Sequence, residues 1–286
     1  MKKLKQIIAQ LTTATDMPAN ELNNLLWQFI CYSPKMPVRL YQEQLLNEAE
    51  KFSLVVPDDY FAKKDLVFNG FKWGNGSRKI LITHGWGSKA GDFTDIITAL
   101  KTIDDVQIIA FDAPGNGSSE GELSNLLLFV LSVKAIIEKY GEPDVLIGHS
   151  LGAMANIIAV KEMALKPELL ISLTPLVRLK ENFEDSMRAV GIPQAAQVDF
   201  LKDFEHKFGK PASYFNLKDW HVFGKPLNHW LAYDKNDRIS TFNYMEDFLN
   251  SNPTVRHENY ADAGHDRIIK SEQLIADLVN EVRAVV

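Results

Sequence analysis

Residues 145–152 read VLIGHSLG, and this stretch decides the fold prediction. Its first three residues predict a short buried strand, and residues 152–165 predict a helix. Gly148-x-Ser150-x-Gly152 then predicts a very sharp turn, because side chains at the glycine positions would collide with the adjoining strand and helix. Such a turn exposes Ser150 beside the first N–H groups of the helix, which favour negative charge. We predict that Ser150 is a nucleophile; the alternative is an idle serine in a glycine-rich turn.

The alternation of strand and helix continues on both sides of this stretch. Continuous apolar runs that alternate with amphipathic helices predict a parallel sheet with helices on both faces. In such sheets, ligands bind beyond the carboxyl ends of the strands. The predicted strands are residues 79–83, 106–111, 145–149, 169–173, 229–233 and 254–260, and the predicted helices between and after them are residues 92–102, 124–140, 152–165, 242–249 and 271–286.

The first sixty residues differ in pattern from the rest. Apolar residues recur at helical spacing in residues 4–11, 22–29 and 40–52, which predicts a helical N-terminal extension over residues 1–60. This extension could cover the core, extend a lid or form a dimer face. Residues 66–76 read LVFNGFKWGNG and predict a hairpin that turns at Gly74-Asn75-Gly76.

A serine hydroxyl is a weak nucleophile near neutral pH, so it needs a base and a group that orients the base. His265 lies in a small-residue loop after the last predicted strand, and we predict that it is the base. Two aspartates follow the strand at residues 229–233. We predict Asp237 as the orienting acid because Ile239 can anchor its loop, and Asp234, which is nearer the strand end, stays as the alternative.

The tetrahedral intermediate of acyl transfer needs two fixed N–H donors. The N–H of Leu151, the residue after Ser150, is one candidate. The strand at residues 79–83 ends in His-Gly-Trp-Gly at residues 84–87, where the glycines allow the N–H of Trp86 to turn inward. The loop at residues 112–118, DAPGNGS, could bind an anion, but it lacks the Gly-Lys-Ser/Thr of a phosphate-binding loop, and we interpret it as structural.

Composition excludes several function classes. The net charge of −6 is scattered, whereas a nucleic-acid surface needs a concentrated basic face. No apolar stretch is long enough for a membrane span, and the basic N-terminus lacks a continuous apolar run and a small-residue cleavage site. The single cysteine, Cys31, excludes an internal disulfide and suits a reducing compartment. We therefore expect a cytoplasmic protein in which Cys31 is a buried thiol.

These motifs together resemble the α/β-hydrolase superfamily. The resemblance rests on residues 84–87, Asp112-x-x-Gly-x-Gly-x-Ser119, Gly148-x-Ser150-x-Gly152, residues 237–239 and Gly264-His265, in the order and spacing of that family, over roughly residues 65–286. It implies an eight-stranded, mostly parallel sheet and a Ser-Asp-His triad. Asn116 stands where relatives often have histidine, and a serine nucleophile argues against the dehalogenase branch, which uses aspartate.

The resemblance also implies how the chain is divided. Residues 61–176 and 229–286 would form the α/β core, and residues 177–228 would form a helical lid between the sixth and seventh strands. This insertion carries many aromatic residues, some of which should face Ser150 and form an apolar pocket. They are Phe183, Phe200, Phe204, Phe208, Tyr214, Phe215, Trp220 and Phe223.

The expected function is a serine hydrolase that cleaves carboxylic esters or thioesters with an apolar moiety through an acyl-enzyme, with a small-molecule acyl substrate and no metal or organic cofactor. Three alternatives remain open at this point. The same three residues could serve an acyltransferase or a lyase, and the fold also occurs in non-hydrolytic binding proteins.

Overall fold

Eight strands and eleven α-helices make up the part of the chain that the computed structural model describes, residues 2–13 and 17–286. Residue 1 and residues 14–16 of the predicted extension lie outside the described residues. The strands are β1 (Glu50–Asp58), β2 (Lys64–Trp73), β3 (Arg78–Thr83), β4 (Val106–Asp112), β5 (Val145–His149), β6 (Leu169–Leu173), β7 (His229–Tyr233) and β8 (Arg256–Asn259). The helices are α1 (Lys2–Thr12), α2 (Ala19–Cys31), α3 (Leu40–Glu48), α4 (Thr94–Leu100), α5 (Leu126–Tyr140), α6 (Leu151–Glu162), α7 (Leu179–Ala189), α8 (Gln194–Phe208), α9 (Leu217–Trp220), α10 (Phe242–Ser251) and α11 (Glu272–Arg283).

All eight strands belong to one sheet, in the order β1-β2-β4-β3-β5-β6-β7-β8. The β1–β2 and β2–β4 pairs are antiparallel, and every other pair is parallel. Each residue of the central strands β5, β6 and β7 is buried, as expected where helices cover both faces of a parallel sheet. The prediction of an eight-stranded, mostly parallel sheet is therefore confirmed.

The sheet separates two apolar cores. On one face, α5 and α6 bury residues such as Phe129 and Met154, and the same core continues into α2 and α8. On the other face, α4 and α11 bury Ile96 and Leu278. This arrangement leaves the carboxyl ends of β3, β5, β6 and β7 as the floor on which the predicted site residues lie.

The predicted hairpin at residues 74–76 is wrong. Strand β2 pairs with β1 on one side (Val55 opposite Val67) and with β4 on the other (Phe71 opposite Ala110), whereas β3 lies beyond β4. Gly76 is needed for close approach: its N–H donates to the Val106 carbonyl, and a Cβ there would come within 1.9 Å of the neighbouring backbone. The chain therefore crosses the end of β4 at this point instead of folding back on β2.

The N-terminal helices fold as predicted only in part. The first two predicted helices, residues 4–11 and 22–29, lie within the slightly longer α1 and α2. The third, residues 40–52, is too long, because α3 ends at Glu48 and β1 begins at Glu50. The predicted extension therefore contains an edge strand of the sheet, whose alternating residues Phe52, Leu54 and Val56 pack on the core.

Residues 177–228, which we call the insertion, connect β6 to β7 and contain α7, α8 and α9. Within residues 2–13 and 17–286, the structure contains no helix with the length and apolar character to traverse a bilayer.

Candidate active site

Ser150 lies at the turn between β5 and α6 in a strained backbone conformation. Its φ of 51° and ψ of −118° fall in a region that non-glycine residues rarely adopt, at a cost of roughly 1–3 kcal/mol. Two backbone hydrogen bonds, to the end of β6 and to the segment that follows it, hold the turn: the Ser150 N–H donates to the Leu173 carbonyl at 3.0 Å, and the Leu176 N–H donates to the Ser150 carbonyl at 3.1 Å. The turn thus presents the hydroxyl above the sheet.

The two glycines around Ser150 are required by close packing. A Cβ at Gly148 would come within 2.5 Å of the Cα of Ala153 in α6. A Cβ at Gly152 would come within 2.3 Å of the His84 carbonyl oxygen in the loop after β3. Real Cβ atoms do not approach other atoms this closely, so α6 can begin here only beside glycines, as the sequence predicts.

The three side chains predicted for the reaction form one hydrogen-bonded chain. The Nε2 of His265 lies 2.9 Å from the Oγ of Ser150, and its Nδ1 lies 2.7 Å from the Oδ2 of Asp237. The side chains of His265 and Asp237 are 8% and 1% exposed, so water scarcely competes for these contacts. Strands β5, β7 and β8 supply the three residues from their carboxyl ends.

Hydrogen bonding sets the position of the protons. The Oδ1 of Asp237 accepts the N–H groups of Ile239 and Ser240 at 2.7 and 3.0 Å, which fixes the carboxylate and directs Oδ2 at the imidazole. Because a carboxylate only accepts, the Nδ1 of His265 donates to it, and Nε2 carries the free lone pair. In this arrangement Nε2 can take the proton of the Ser150 hydroxyl.

Asp234, the alternative acid, makes no hydrogen bond to His265. Its Oδ2 accepts the N–H of Gly264 at 2.7 Å, and its Oδ1 accepts the N–H of Asn236 at 2.9 Å. It is 2% exposed and joins the loop after β7 to the loop that carries His265. Of the two aspartates, Asp237 therefore has the geometry for orienting the imidazole, and Asp234 holds the two loops together.

His149, beside the nucleophile, also supports the His265 loop. Its Nε2 lies 2.9 Å from the His265 carbonyl oxygen and must donate to it. Burial lowers the pKa of the His149 imidazole to about 3, and the neighbouring His265 adds to this effect. His149 is therefore neutral and places no fixed positive charge beside the base.

One group of side chains has the composition of a metal site: His149, His265 and Asp266 bring possible ligand atoms within 4.8 Å of one another. Both nitrogens of His265 already bond to Ser150 and Asp237, and the Nε2 of His149 bonds to a carbonyl. A metal ion would have to break these contacts, so the group does not fit a resident metal.

The two predicted amide donors lie beside Ser150. A Cβ at Gly85 would come within 3.0 Å of the Cβ of Ser150, so the loop that carries Trp86 passes directly against the serine. Among the described residues, neither the Trp86 N–H nor the Leu151 N–H donates to a protein acceptor. Both amides are therefore available to a ligand, and their role in stabilising an oxyanion stays a prediction.

The loop at residues 112–118 has the bonding of a structural element. The Asp112 carboxylate accepts the N–H of Ala90 at 2.8 Å and the N–H of Ser118 at 2.7 Å. A Cβ at Gly117 would come within 2.2 Å of the same carboxylate. Because Asp112 occupies the glycine-rich turn, an anion would meet a negative charge there.

A cavity of about 540 Å³ opens above Ser150 and His265. Four of the eight aromatic residues singled out in the insertion line it: Phe183, Phe204, Phe208 and Phe215. Leu176, Leu179 and Trp86 add further apolar surface, and Arg238 and Asp266 are among the polar residues of the lining. A cavity of this size and lining suits a small molecule with an apolar part.

Part of the lining was missed by the sequence analysis. Leu4 in α1 and Phe29 and Ile30 in α2 also line the cavity. Helical periodicity showed that these helices bury an apolar face but could not show what that face covers. Cys31 is buried as predicted, and burial raises the pKa of its thiol, which disfavours the reactive thiolate.

Three features together indicate an α/β enzyme fold. They are the sheet order, the strained turn at Ser150 and the hydrogen bonds that join Ser150, His265 and Asp237. A family model described as "Alpha/beta hydrolase family" matches residues 80–278. The chain belongs to the α/β-hydrolase family.

Part of the chain is also similar in sequence to individual proteins, among them two monoglyceride lipases. The monoglyceride lipase of Rattus norvegicus is 32% identical over 106 residues, and that of Mus musculus is 31% identical over 106 residues. Each match covers 34% of this chain and only 35% of the lipase.

Two solved structures share the fold over most of this chain. An esterase of Pyrococcus furiosus has a TM-score of 0.62 at 18% identity, covering 89% of this chain and 98% of its own. A thermophilic esterase of Thermogutta terrifontis has a TM-score of 0.58 at 15% identity, covering 82% and 99%. At these identities the likeness concerns the fold alone.

Proposed function

We propose that the protein hydrolyses carboxylic esters or thioesters that carry an apolar group, through an acyl-enzyme formed on Ser150. The observation that carries this proposal is the hydrogen-bonded chain from Ser150 through His265 to Asp237 at the floor of an apolar cavity. Membership of the α/β-hydrolase family and the similarity to monoglyceride lipases support the same class of substrate.

The reaction would proceed in two halves. The Ser150 Oγ attacks the carbonyl carbon while the Nε2 of His265 takes the hydroxyl proton. The bond from carbon to the leaving oxygen or sulfur then breaks, and the imidazolium returns the proton to the leaving group. A water molecule next attacks the acyl carbon, His265 accepts its proton, and the acid leaves as Ser150 regains its hydrogen.

Asp237 and the two amides would act on charge at different points of this cycle. The Asp237 carboxylate stabilises the imidazolium that forms when His265 accepts a proton, at a contact of 2.7 Å. The N–H groups of Trp86 and Leu151 would donate to the oxygen that becomes negative in the tetrahedral intermediate. Loss of one such donor typically costs on the order of 10²–10³ in kcat.

The lining of the cavity supports an apolar substrate group. Most of the residues that line the cavity are aromatic or aliphatic, and the polar residues are a minority. An apolar chain bound there leaves water, and each methylene buried contributes roughly 0.8 kcal/mol. A wholly polar ester would gain little from this lining.

Hydrolysis of p-nitrophenyl esters tests the proposal directly. We expect a burst of p-nitrophenol that matches the enzyme concentration, followed by steady turnover. Ser150→Ala should abolish the burst and lower kcat by several orders of magnitude, roughly 10⁴–10⁶-fold. Ser251→Ala, at the exposed end of α10, is the control and should behave as the wild type.

Other outcomes would support other functions. Turnover that survives Ser150→Ala would refute the acyl-enzyme. Faster phenol release with an added alcohol, with the new ester as product, would indicate an acyltransferase. Tight binding of a substrate-like acid without any turnover would indicate a binding protein of this fold.

A further inference from the structure

The cavity above Ser150 has a wall that lies outside the region matched by the family model. Residues 80–278 match the family, whereas Leu4, Phe29 and Ile30 precede that region and still line the cavity. The core supplies the reacting groups, the insertion supplies one apolar side, and helices α1 and α2 supply another. The N-terminal helices are therefore candidates for a part of the site that the family model does not describe.

Helix α2 is fixed against the insertion by a polar contact. The Asp203 carboxylate of α8 accepts the indole N–H of Trp27 at 2.6 Å and the amide N–H of Asn23 at 2.9 Å. Trp27 is 5% exposed, so its indole N–H has little access to water and depends on this acceptor. The contact ties α2 to the middle of α8.

The same tryptophan packs behind two residues that line the cavity. The ring of Trp27 lies 6.0 Å from that of Phe204 and 5.9 Å from that of Phe208, centroid to centroid. Successive helical residues turn by about 100°, so Trp27 and Phe29 point to different sides of α2. Helix α2 thus holds the insertion with one side and lines the cavity with another.

The end of α2 is fixed to the core. The Ser124 N–H donates to the Cys31 carbonyl at 2.7 Å, Tyr32 pairs with Leu123, and the Ser33 hydroxyl bonds to the Asn116 side chain at 2.5 Å. Ser124 itself lines the cavity. The wall formed by Phe29 and Ile30 is therefore anchored at both ends and has a defined position relative to Ser150.

We propose that the N-terminal helices α1 and α2 are part of the substrate-binding site, and that Phe29 sets how long an apolar acyl chain the cavity accepts. This inference rests on the proposed ester hydrolysis for its substrate class. Phe29 is a specificity-determining residue here, because its ring occupies volume that a longer chain would need. Leu4 in α1 limits the same cavity from the neighbouring helix.

Two opposite substitutions at Phe29 test the proposal. The readout is the ratio of kcat/KM for p-nitrophenyl decanoate to that for the butyrate. Each further methylene that can be buried is worth roughly fourfold. Phe29→Ala should therefore raise the ratio at least fourfold, and Phe29→Trp should lower it at least fourfold.

Leu22→Ala is the matched control. Leu22 lies on the same helix, packs partly buried against the same core and does not line the cavity. It should lower the thermal midpoint, as Phe29→Ala does, while leaving the ratio at the wild-type value. If both Phe29 variants keep the wild-type ratio, or if Leu22→Ala changes it equally, the helices serve stability only and the proposal is overturned.

A binding measurement separates this inference from the proposed reaction. Decanoate is titrated into Ser150→Ala protein by calorimetry, with and without Phe29→Trp. At least fourfold weaker binding with Phe29→Trp supports the N-terminal wall even if the wild type hydrolyses no ester. Unchanged decanoate binding, in a protein that does hydrolyse esters, would overturn the wall and leave the reaction standing.

Discussion

Replacing Asp237 by asparagine changes one atom of the carboxylate and should reverse the hydrogen bonding of His265. The Oδ1 of Asp237 accepts two backbone N–H groups, from Ile239 and Ser240. An asparagine at this position must keep its oxygen toward these donors, because an NH₂ group there would leave both of them unpaired. Its NH₂ group then faces the Nδ1 of His265.

The expected loss of activity in Asp237→Asn follows from the proton positions on His265. With a donor opposite Nδ1, that nitrogen becomes the acceptor, and Nε2 carries the hydrogen. Nε2 can then no longer take the proton of Ser150, although it stays near 2.9 Å from the hydroxyl. The same exchange in a Ser-His-Asp protease lowers kcat roughly 10⁴-fold, and we expect a loss of that order. This corresponds to about 5.5 kcal/mol of transition-state stabilisation.

Asp234→Asn is the matched comparison, since it makes the same chemical change three residues away. Asp234 accepts one N–H on each oxygen, from Gly264 and Asn236. An asparagine satisfies only one of these donors, which should cost roughly 1–3 kcal/mol of unfolding free energy. Because the His265 tautomer is unaffected, kcat should stay within roughly tenfold of the wild type, or about 1.4 kcal/mol.

The assay is p-nitrophenyl butyrate hydrolysis for kcat and KM, with urea unfolding of each variant. Asp237→Asn should lose activity with little loss of stability, and Asp234→Asn should do the opposite. Activity of Asp237→Asn within tenfold of the wild type would refute the reasoning. So would a larger loss of kcat in Asp234→Asn, which would make Asp234 the acid.

Three further predictions concern packing, protons and the thiol. Gly152→Ala should prevent folding or destabilise it by several kcal/mol in urea unfolding, because its Cβ would meet the His84 carbonyl, whereas Gly224→Ala, with nothing within 4 Å, should be neutral. The His149 pKa is about 3 when folded and about 6.5 when unfolded, so the unfolded state takes up a proton first as the pH falls. The stability that neutral His149 contributes to the folded state is therefore fully present above pH 6.5 and is lost as the pH falls toward 3. The unfolding free energy should therefore fall between pH 7 and pH 5 by up to roughly 2 kcal/mol less in His149→Gln than in the wild type. An equal fall in the two proteins would contradict this prediction. Cys31 should react with iodoacetamide only under denaturing conditions, because it is buried and burial raises its thiol pKa; rapid native labelling by mass spectrometry would contradict the burial.

The sequence predicted the elements whose constraints are local. The turn around Ser150 needs glycines at fixed positions, and those positions lie within five residues of one another, so the pattern is visible in the chain. The parallel strands β5, β6 and β7 were visible for the same reason, since each is a short run of buried, mostly apolar residues. His265 was chosen as the candidate base because a small-residue loop follows the last predicted strand.

The sequence favoured Asp237 over Asp234 only through the position of Ile239, and it could not show which carboxylate faces His265. Both lie in the loop after β7, and the Asp237 N–H bonds to the Asp234 carbonyl within a single turn. Which carboxylate faces His265 depends on how that turn is oriented against a loop almost thirty residues away. Only the folded chain brings the two loops together.

Long-range contacts account for the other features of the structure that the sequence analysis missed. Strand β1 follows a helical pattern without a break, and its partner β2 is identified only by pairing in the sheet. Phe29 and Ile30 likewise read as an ordinary buried helix face. That this face lines the cavity above Ser150 depends on contacts with Asp203, Ser124 and other residues far along the chain.

The central claim is that Ser150 is an activated nucleophile, and covalent labelling tests it most directly. The native protein is treated with a fluorophosphonate at neutral pH, and the modified peptide is mapped by mass spectrometry. We predict one adduct per chain, on Ser150, that forms slowly in His265→Ala and is absent in Ser150→Ala. A native protein that stays unlabelled, or an adduct on any other residue, would contradict the account.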